Sequence, residues 1–269
     1  MKKKAIFIFF MIFIIIFYGT FIFSKETTTI QINNNPCLFY KDSNLRYYKG
    51  TLSPKSWGKL AKNCLIKIKK NYYVFKKDSL IVFDTKLNII SGFLAKKTII
   101  HISKNTITLK KSSAYWDLTY FYPNGSIKRG SLFKTHKLSV GRKRYVFKKT
   151  EKSFEMIEFH LKGQIERGFL TKEYIFRAKR NIFYFKGTVG FHKNGKISWG
   201  YPSRNATITI NKTKVKIYSQ NFKSIEFHPN GMIFRISLRR PYLFSTGGKT
   251  RFLASNPLQF NSKGFLTRA

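Results

Sequence analysis

Phe121-Tyr122-Pro123-Asn124-Gly125-Ser126-Ile127 is a β-hairpin turn with its two anchors. Pro suits the first position of a type I turn, Asn suits the second, and Gly takes the left-handed conformation that closes a three-residue loop. An odd loop puts Phe121 and Ile127 on the same face, where both can be buried. The pattern recurs at Phe159 to Ile165, Phe191 to Ile197, Phe227 to Ile233 and, degraded, Phe260 to Leu266; Phe83 to Ile89 keeps the apolar ends without the glycine. Successive Phe anchors lie 38, 38, 32, 36 and 33 residues apart, a period that marks a chain built by stacking one small supersecondary unit. Alternation extends the core face back through Ile81, Ile157, Val189, Ile225 and Leu258, each two residues before its Phe.

Between the hairpins lies a second self-match. Leu60-Ala61-Lys62-Asn63-Cys64-Leu65-Ile66-Lys67-Ile68 aligns without a gap on Leu94-Ala95-Lys96-Lys97-Thr98-Ile99-Ile100-His101-Ile102, and a β-branched run such as Thr106-Ile107-Thr108-Leu109 follows. Each unit therefore reads as four strands of about five residues. Amphipathic helical spacing is nearly absent after residue 24, so the expected class is all-β: a repeat array of short antiparallel strands. About seven units fall near 28–50, 60–92, 94–130, 132–168, 170–200, 205–237 and 238–269. Such units build either an open β-meander solenoid or a β-propeller. The chain ends on a complete hairpin and no strand is left over to complete the first unit, which favours the open array.

Lys2 to Lys4 precede nineteen mostly apolar residues, Ala5 to Phe23. This is an N-terminal hydrophobic helix, with 1–24 a signal peptide or a membrane anchor and 25–269 the β-repeat domain. The three lysines hold the amino end in the cytoplasm, so the body is expected to be exported to the periplasm, the cell surface or the medium, either free or anchored by residues 5–23. In an exported chain Cys37 and Cys64 can form a disulfide that closes the end of the array; the competing reading is two small buried residues.

The chain carries 52 Lys and Arg against 11 Asp and Glu, a formal net charge of +41, and this predicts attraction to polyanions. Basic residues interleave with aromatics most densely from Arg180 to Lys186. There Phe183 and Phe185 face inward, while Tyr184 faces out beside Arg180 and Lys186 as a candidate binding site. Export makes nucleic acid an unfavourable partner. An anionic envelope polymer, a glycan or a membrane surface fits better, and a protein partner remains open.

The units resemble the variant MORN-type repeats of bacterial exported proteins, whose hairpins read aromatic-x-x-Asn-Gly-x-Ile/Leu-x-x-Gly; Phe121 to Gly130 and Phe191 to Gly200 carry the pattern best, and Gly92 and Gly168 hold the same last slot. The period is longer than that family's, and Ile236 stands where the sixth unit's glycine belongs. The resemblance implies a non-enzymatic scaffold with no cofactor and no catalytic residues to carry over.

Two constellations suggest chemistry. His160, His192 and His228 share the slot after the anchor Phe, but a whole unit separates neighbours, too far for shared coordination of a metal at about 2 Å. The three-residue loop sets Glu158 directly opposite Glu166, as a glycan-acting hydrolase would require of its paired acids. No phosphate-binding glycine loop, zinc-type cysteine pair or Ser/His/Asp set is present. The expected protein is a binding scaffold, with that hydrolase or a spacer without ligand as alternatives.

Overall fold

The structure is a computed structural model that describes residues 26–42, 47–48, 51–52, 56–178, 181–210, 213–217, 219, 224–236, 242–246, 249–253 and 257–268. The expected membrane-directed segment, Arg180 and the loops between these ranges lie outside the described residues. Within them the chain is all-β and antiparallel, with a short 3-10 turn at Ser153–Glu155. No helix among them is long and apolar enough to cross a membrane.

The strands form two layers. The first is a run of thirteen strands in which the repeat hairpins follow one another in chain order; the hairpin His136–Val140 with Lys143–Phe147 joins it through the Phe147–Leu170 pair to make a fifteen-stranded sheet. Ser56–Lys59 forms one end. Then come Leu80–Phe83 with Ile89–Gly92, Thr119–Phe121 with Ile127–Gly130, Ile157–Phe159 with Ile165–Ala178, Asn181–Phe191 with Ile197–Pro202, Ile225–Phe227 with Ile233–Ile236, and finally Leu258–Phe260 with Leu266–Arg268. Among the described residues the first and last strands do not pair with each other.

The second layer consists of hairpins: Thr27–Ile32 with Asn35–Tyr40, Cys64–Ile68 with Asn71–Phe75, Thr98–Ile102 with Asn105–Leu109, Ala206–Ile210 with Thr213–Ile217 and Tyr242–Thr246 with Lys249–Leu253 as separate two-stranded sheets, and His136–Val140 with Lys143–Phe147, which also pairs with the first layer. Ile165–Ala178 and Asn181–Phe191 are long enough to serve both layers, their far ends pairing as a further hairpin.

Alternation decides what lies between the layers. The six anchors Phe83, Phe121, Phe159, Phe191, Phe227 and Phe260 are all buried. Three of them meet Tyr73, Tyr145 and Phe176 of the second layer edge-on, at 5.1 Å for Tyr73–Phe121, 5.1 Å for Tyr145–Phe191 and 4.6 Å for Phe176–Phe227. Each of these rings reaches the anchor one hairpin further along than the one that follows it in the chain. The layers are thus staggered, and every unit is packed to the next through one continuous apolar core.

The last glycine of the motif has a steric cause. A methyl group on Gly92, Gly130, Gly168 or Gly200 would fall 2.6, 2.9, 2.4 or 2.8 Å from Phe75, Leu109, Phe147 or Phe185, the closing residue of a second-layer hairpin. In the next unit the slot holds Ile236, and the closing residue is the smaller Ile217. Volume has moved from one slot to the other.

The turn follows its sequence closely. Tyr122 and Ser126 bracket the loop, Gly125 N–H donates to Tyr122 O at 2.8 Å, and Gly125 sits at φ 76°. Phe121 pairs with Ile127, but Tyr120 then pairs with Arg129, so Lys128 is an extra residue. The same bulge recurs at Ile90, Glu166, Ser198, Phe234 and Thr267.

Candidate polyanion-binding edge

The bulge overturns one expectation. Glu158 faces Arg167 across the strand pair and not Glu166, because Glu166 is the inserted residue. Arg167 Nη2 lies 2.6 Å from Glu158 Oε1, and Arg129 Nε lies 3.6 Å from it on the other side. Glu166 instead lies 3.6 Å from His160 Nδ1. One carboxylate is bracketed by two guanidinium groups and the other is held at a different station, so the opposed acids that glycoside hydrolysis uses are not assembled. The same outer face continues to Glu226, paired with Arg235. Between them Trp199 lies against Gly190, with Nε1 2.1 Å from where a Cβ would stand.

The histidine slot couples units. Nε2 of His160, His192 and His228 lies 2.9, 2.8 and 2.8 Å from the carbonyl of Phe191, Phe227 and Phe260, the anchor of the following unit. Tyr122 Oη donates to Phe159 O in the same way at 2.8 Å. A carbonyl acceptor requires Nε2 to carry the proton. The slot is therefore a half-buried clamp, and no group of three metal-ligating side chains occurs among the described residues.

A parallel ladder ties the second layer. Asn71 and the His101 backbone exchange two hydrogen bonds, as do Asn105 and Ser139. At the head of the array Cys37 and Cys64 are joined as a disulfide between the first two second-layer hairpins, with Cα atoms 5.5 Å apart.

Of the expected binding residues, Tyr184 is half-buried on the outer side, opposite the buried Phe183 and Phe185. Its ring is covered by the Arg204 guanidinium, 4.6 Å from the centroid. Arg204 also holds Glu173 at 2.6 Å, and Ser203 Oγ donates to Glu173 at 2.6 Å. The Ser203 hydroxyl and then Arg204 keep that carboxyl below its usual range, with Lys186 adding to the field. This region is charge-compensated, and Tyr184 offers no open ring face on the side that Arg204 occupies.

Two acids missed by pattern reading organise the side of the molecule where the layers connect. Asp117, buried, accepts from Ser131 Oγ, Ser113 N–H and Ala114 N–H, and pairs with Lys110 at 2.9 Å. Glu155, buried one unit later, accepts from the N–H groups of Glu151 and Lys152 and pairs with Lys148 at 2.8 Å. Burial alone would raise both carboxyls, but the lysines and N–H donors outweigh it and hold both below their ordinary values. The signal in the sequence was a lysine seven residues before each acid, at the same station of consecutive units.

The opposite side has a different charge. There the sheet loops 122–126, 160–164, 192–196, 228–232 and 261–265 line up, and the tips of second-layer hairpins meet them. Lys69 Nζ donates to Ser126 Oγ at 2.7 Å, and Gly141 at the next-but-one tip packs directly on Gly195. Of the chain's eleven acids one, Asp84, falls in the first sheet loop 84–88, where it is held by Lys86 N–H and Asn88; none falls in these five loops or in the tips 69–70, 103–104 and 141–142. The loops carry Lys162, Lys193, Lys196 and Lys263, and the tips carry Lys69, Lys70, Lys104 and Arg142.

Two clefts open on this edge. One, of 440 Å³, lies between loops 124–126 and 161–163 and is lined by Lys69, Lys70, Lys162 and His101. Its position has a cause. Asn194 and Asn230 each donate Nδ2 to the next loop, to Pro229 O and Ser262 O, closing those gaps. Asn124 keeps the bond within its own turn, accepting from Ser126 N–H, but no clamp to the next loop is formed. The second cleft, of 560 Å³, is lined by Lys143, Arg177, Lys196, Asn230 and Met232. Lys196 Nζ is held by Asn230 O, and no acidic partner faces Lys143 or Arg177 among the described residues.

Models of known protein families and the curated proteins contain no match to this chain. The geometry of the edge therefore carries the functional reading.

Proposed function

We propose that the chain is an exported, non-enzymatic β-repeat scaffold, an open meander solenoid, that holds an anionic polymer along its loop edge. The observation that carries the reading is the segregation of charge. Acids lie mostly beside the connections between layers and on the outer face, while the loops and tips that line the two clefts present only cations among their charged side chains. Surplus charge spread by composition alone would not leave the linings of both clefts without a carboxylate. A cationic edge of this kind raises the local concentration of any polyanion and speeds its capture. Export rests on residues 2–23, and the resemblance to MORN-type exported proteins supports the same assignment.

The test is a binding titration of the purified body, residues 26–269, with a carboxylated and a sulfated polysaccharide at several salt concentrations. Saturable binding is expected, weakening by about tenfold or more between about 50 and 200 mM salt. Replacing Lys70, Lys162, Lys143 and Lys196 by Gln should remove most of it, while Lys62→Gln with Lys111→Gln, on the connecting side, should not. Equal losses from both sets would reduce the charge to a generic property. Absence of binding in the unaltered protein would leave a spacer. A cell fractionation that places the full chain in the cytoplasm would overturn export.

A further inference from the structure

The loop edge also constrains the shape of its ligand. Strands in a sheet are about 4.8 Å apart, so consecutive hairpin loops advance by about 10 Å, and the two clefts, separated by two hairpin steps, stand roughly 20 Å apart. Between them, loop 192–196 contributes Lys193, with Lys196 at the wall of the second cleft. The cations thus form a track running across the strands.

The lining identifies the chemistry. Each cleft combines ammonium or guanidinium groups with amides and aliphatic surface, namely Asn71, Asn124 and Leu161 in one and Asn230, Ile175 and Met232 in the other. The Tyr73 and Phe176 side chains that reach them are 1% and 8% exposed, so neither offers a ring face. Single-stranded nucleic acid is held by stacking of successive bases on a row of exposed rings, and among the residues lining these clefts the His101 imidazole is the one exposed ring. Amides beside cations suit a polymer that carries hydroxyl groups and anionic charge on the same residue.

We infer that the ligand is an extended acidic polysaccharide laid across the loops, with one anionic sugar seated at Lys70 and Lys162 and another at Lys143 and Arg177. This deepens the polyanion reading and rests on it. The two seats act as linked sites, so a chain long enough to occupy both gains affinity by effective concentration, with no new type of contact.

The experiment is a length series of oligogalacturonates, and in parallel of heparin-derived oligosaccharides, titrated at fixed moderate salt. A step of about 100-fold in dissociation constant is expected once the oligomer spans roughly 20 Å. The carboxylate and sulfate arms show which anion is preferred. Lys70→Gln with Lys162→Gln should abolish the step yet leave short oligomers bound at the other cleft. Lys143→Gln with Arg177→Gln should likewise abolish the step, leaving short oligomers bound at the first cleft. Circular dichroism and an unchanged unfolding midpoint confirm that each variant is folded. A smooth rise in affinity with total charge would overturn the two-seat geometry while leaving the polyanion reading intact. Equal binding of a single-stranded oligonucleotide of matched charge would overturn the assignment to a polysaccharide. If the unaltered protein binds no oligomer or polymer of either series, the polyanion reading itself has failed.

Discussion

At the scale of the residue, Gly168 shows how a short motif encodes a packing rule. Its missing side chain leaves room for Phe147, whose Cδ1 and Cε1 would stand 2.4 and 2.5 Å from an added methyl. Gly168→Ala should therefore destabilise the protein by about 1–3 kcal/mol, read as a lower urea midpoint. Adding Phe147→Leu should recover part of the loss, because Leu109 already fills that slot opposite Gly130. Strictly additive losses would show that the two slots are not coupled. The glycine itself was visible in the motif. Its partner was not, since Phe147 lies in a different hairpin and nothing in local spacing announces the contact. The histidines teach the same lesson: their common slot was legible, but a clamp onto the next unit's carbonyl appears only when neighbouring hairpins are laid side by side.

At the scale of the element, hairpins were readable wherever turn chemistry is strong. Pro123-Asn124-Gly125 predicted its loop and the Phe121–Ile127 pairing correctly. Beyond the loop the reading slipped by one residue, because a bulge has no composition of its own: Lys128, Glu166 and Ser198 share nothing but position. That slip is what set Glu158 against Glu166. The connecting segments hold the other unread information. Asp117 and Glu155 have carboxyls lowered in the folded state, so each contributes stability that is present above the ordinary carboxylate pKa and is lost as pH falls through the lowered folded value. Thermal unfolding should accordingly shift downward below about pH 4. Glu155→Gln should start from a lower midpoint at neutral pH and lose less on acidification. An unchanged acid limb would remove Glu155 from the balance.

At the scale of the whole molecule, the staggered layers make position in the array matter. Phe159 lies mid-sheet with a hairpin on either side, and Phe159→Ala should cost about 3–5 kcal/mol. Phe260, in the last hairpin, is supported from one side only, so Phe260→Ala should cost clearly less in the same denaturation experiment. Equal costs would argue for closure of the ring. The succession of hairpins in chain order and the all-β class were legible from the repeat. The clustering of cations was not, because it depends on which turns share an edge, and Tyr184 drew attention for its local sequence while the cations that line the clefts came from turns and strands spread over three units. The clamps have a wider consequence. His160, His192, His228 and Tyr122 grip a main-chain carbonyl of the next repeat and ignore what side chain stands there. A joint that reads only backbone is a universal coupling. Genetic duplication or loss of one whole repeat would leave the remaining joints satisfied, so this lineage can change the reach of its cationic track by copying modules, without redesigning any interface.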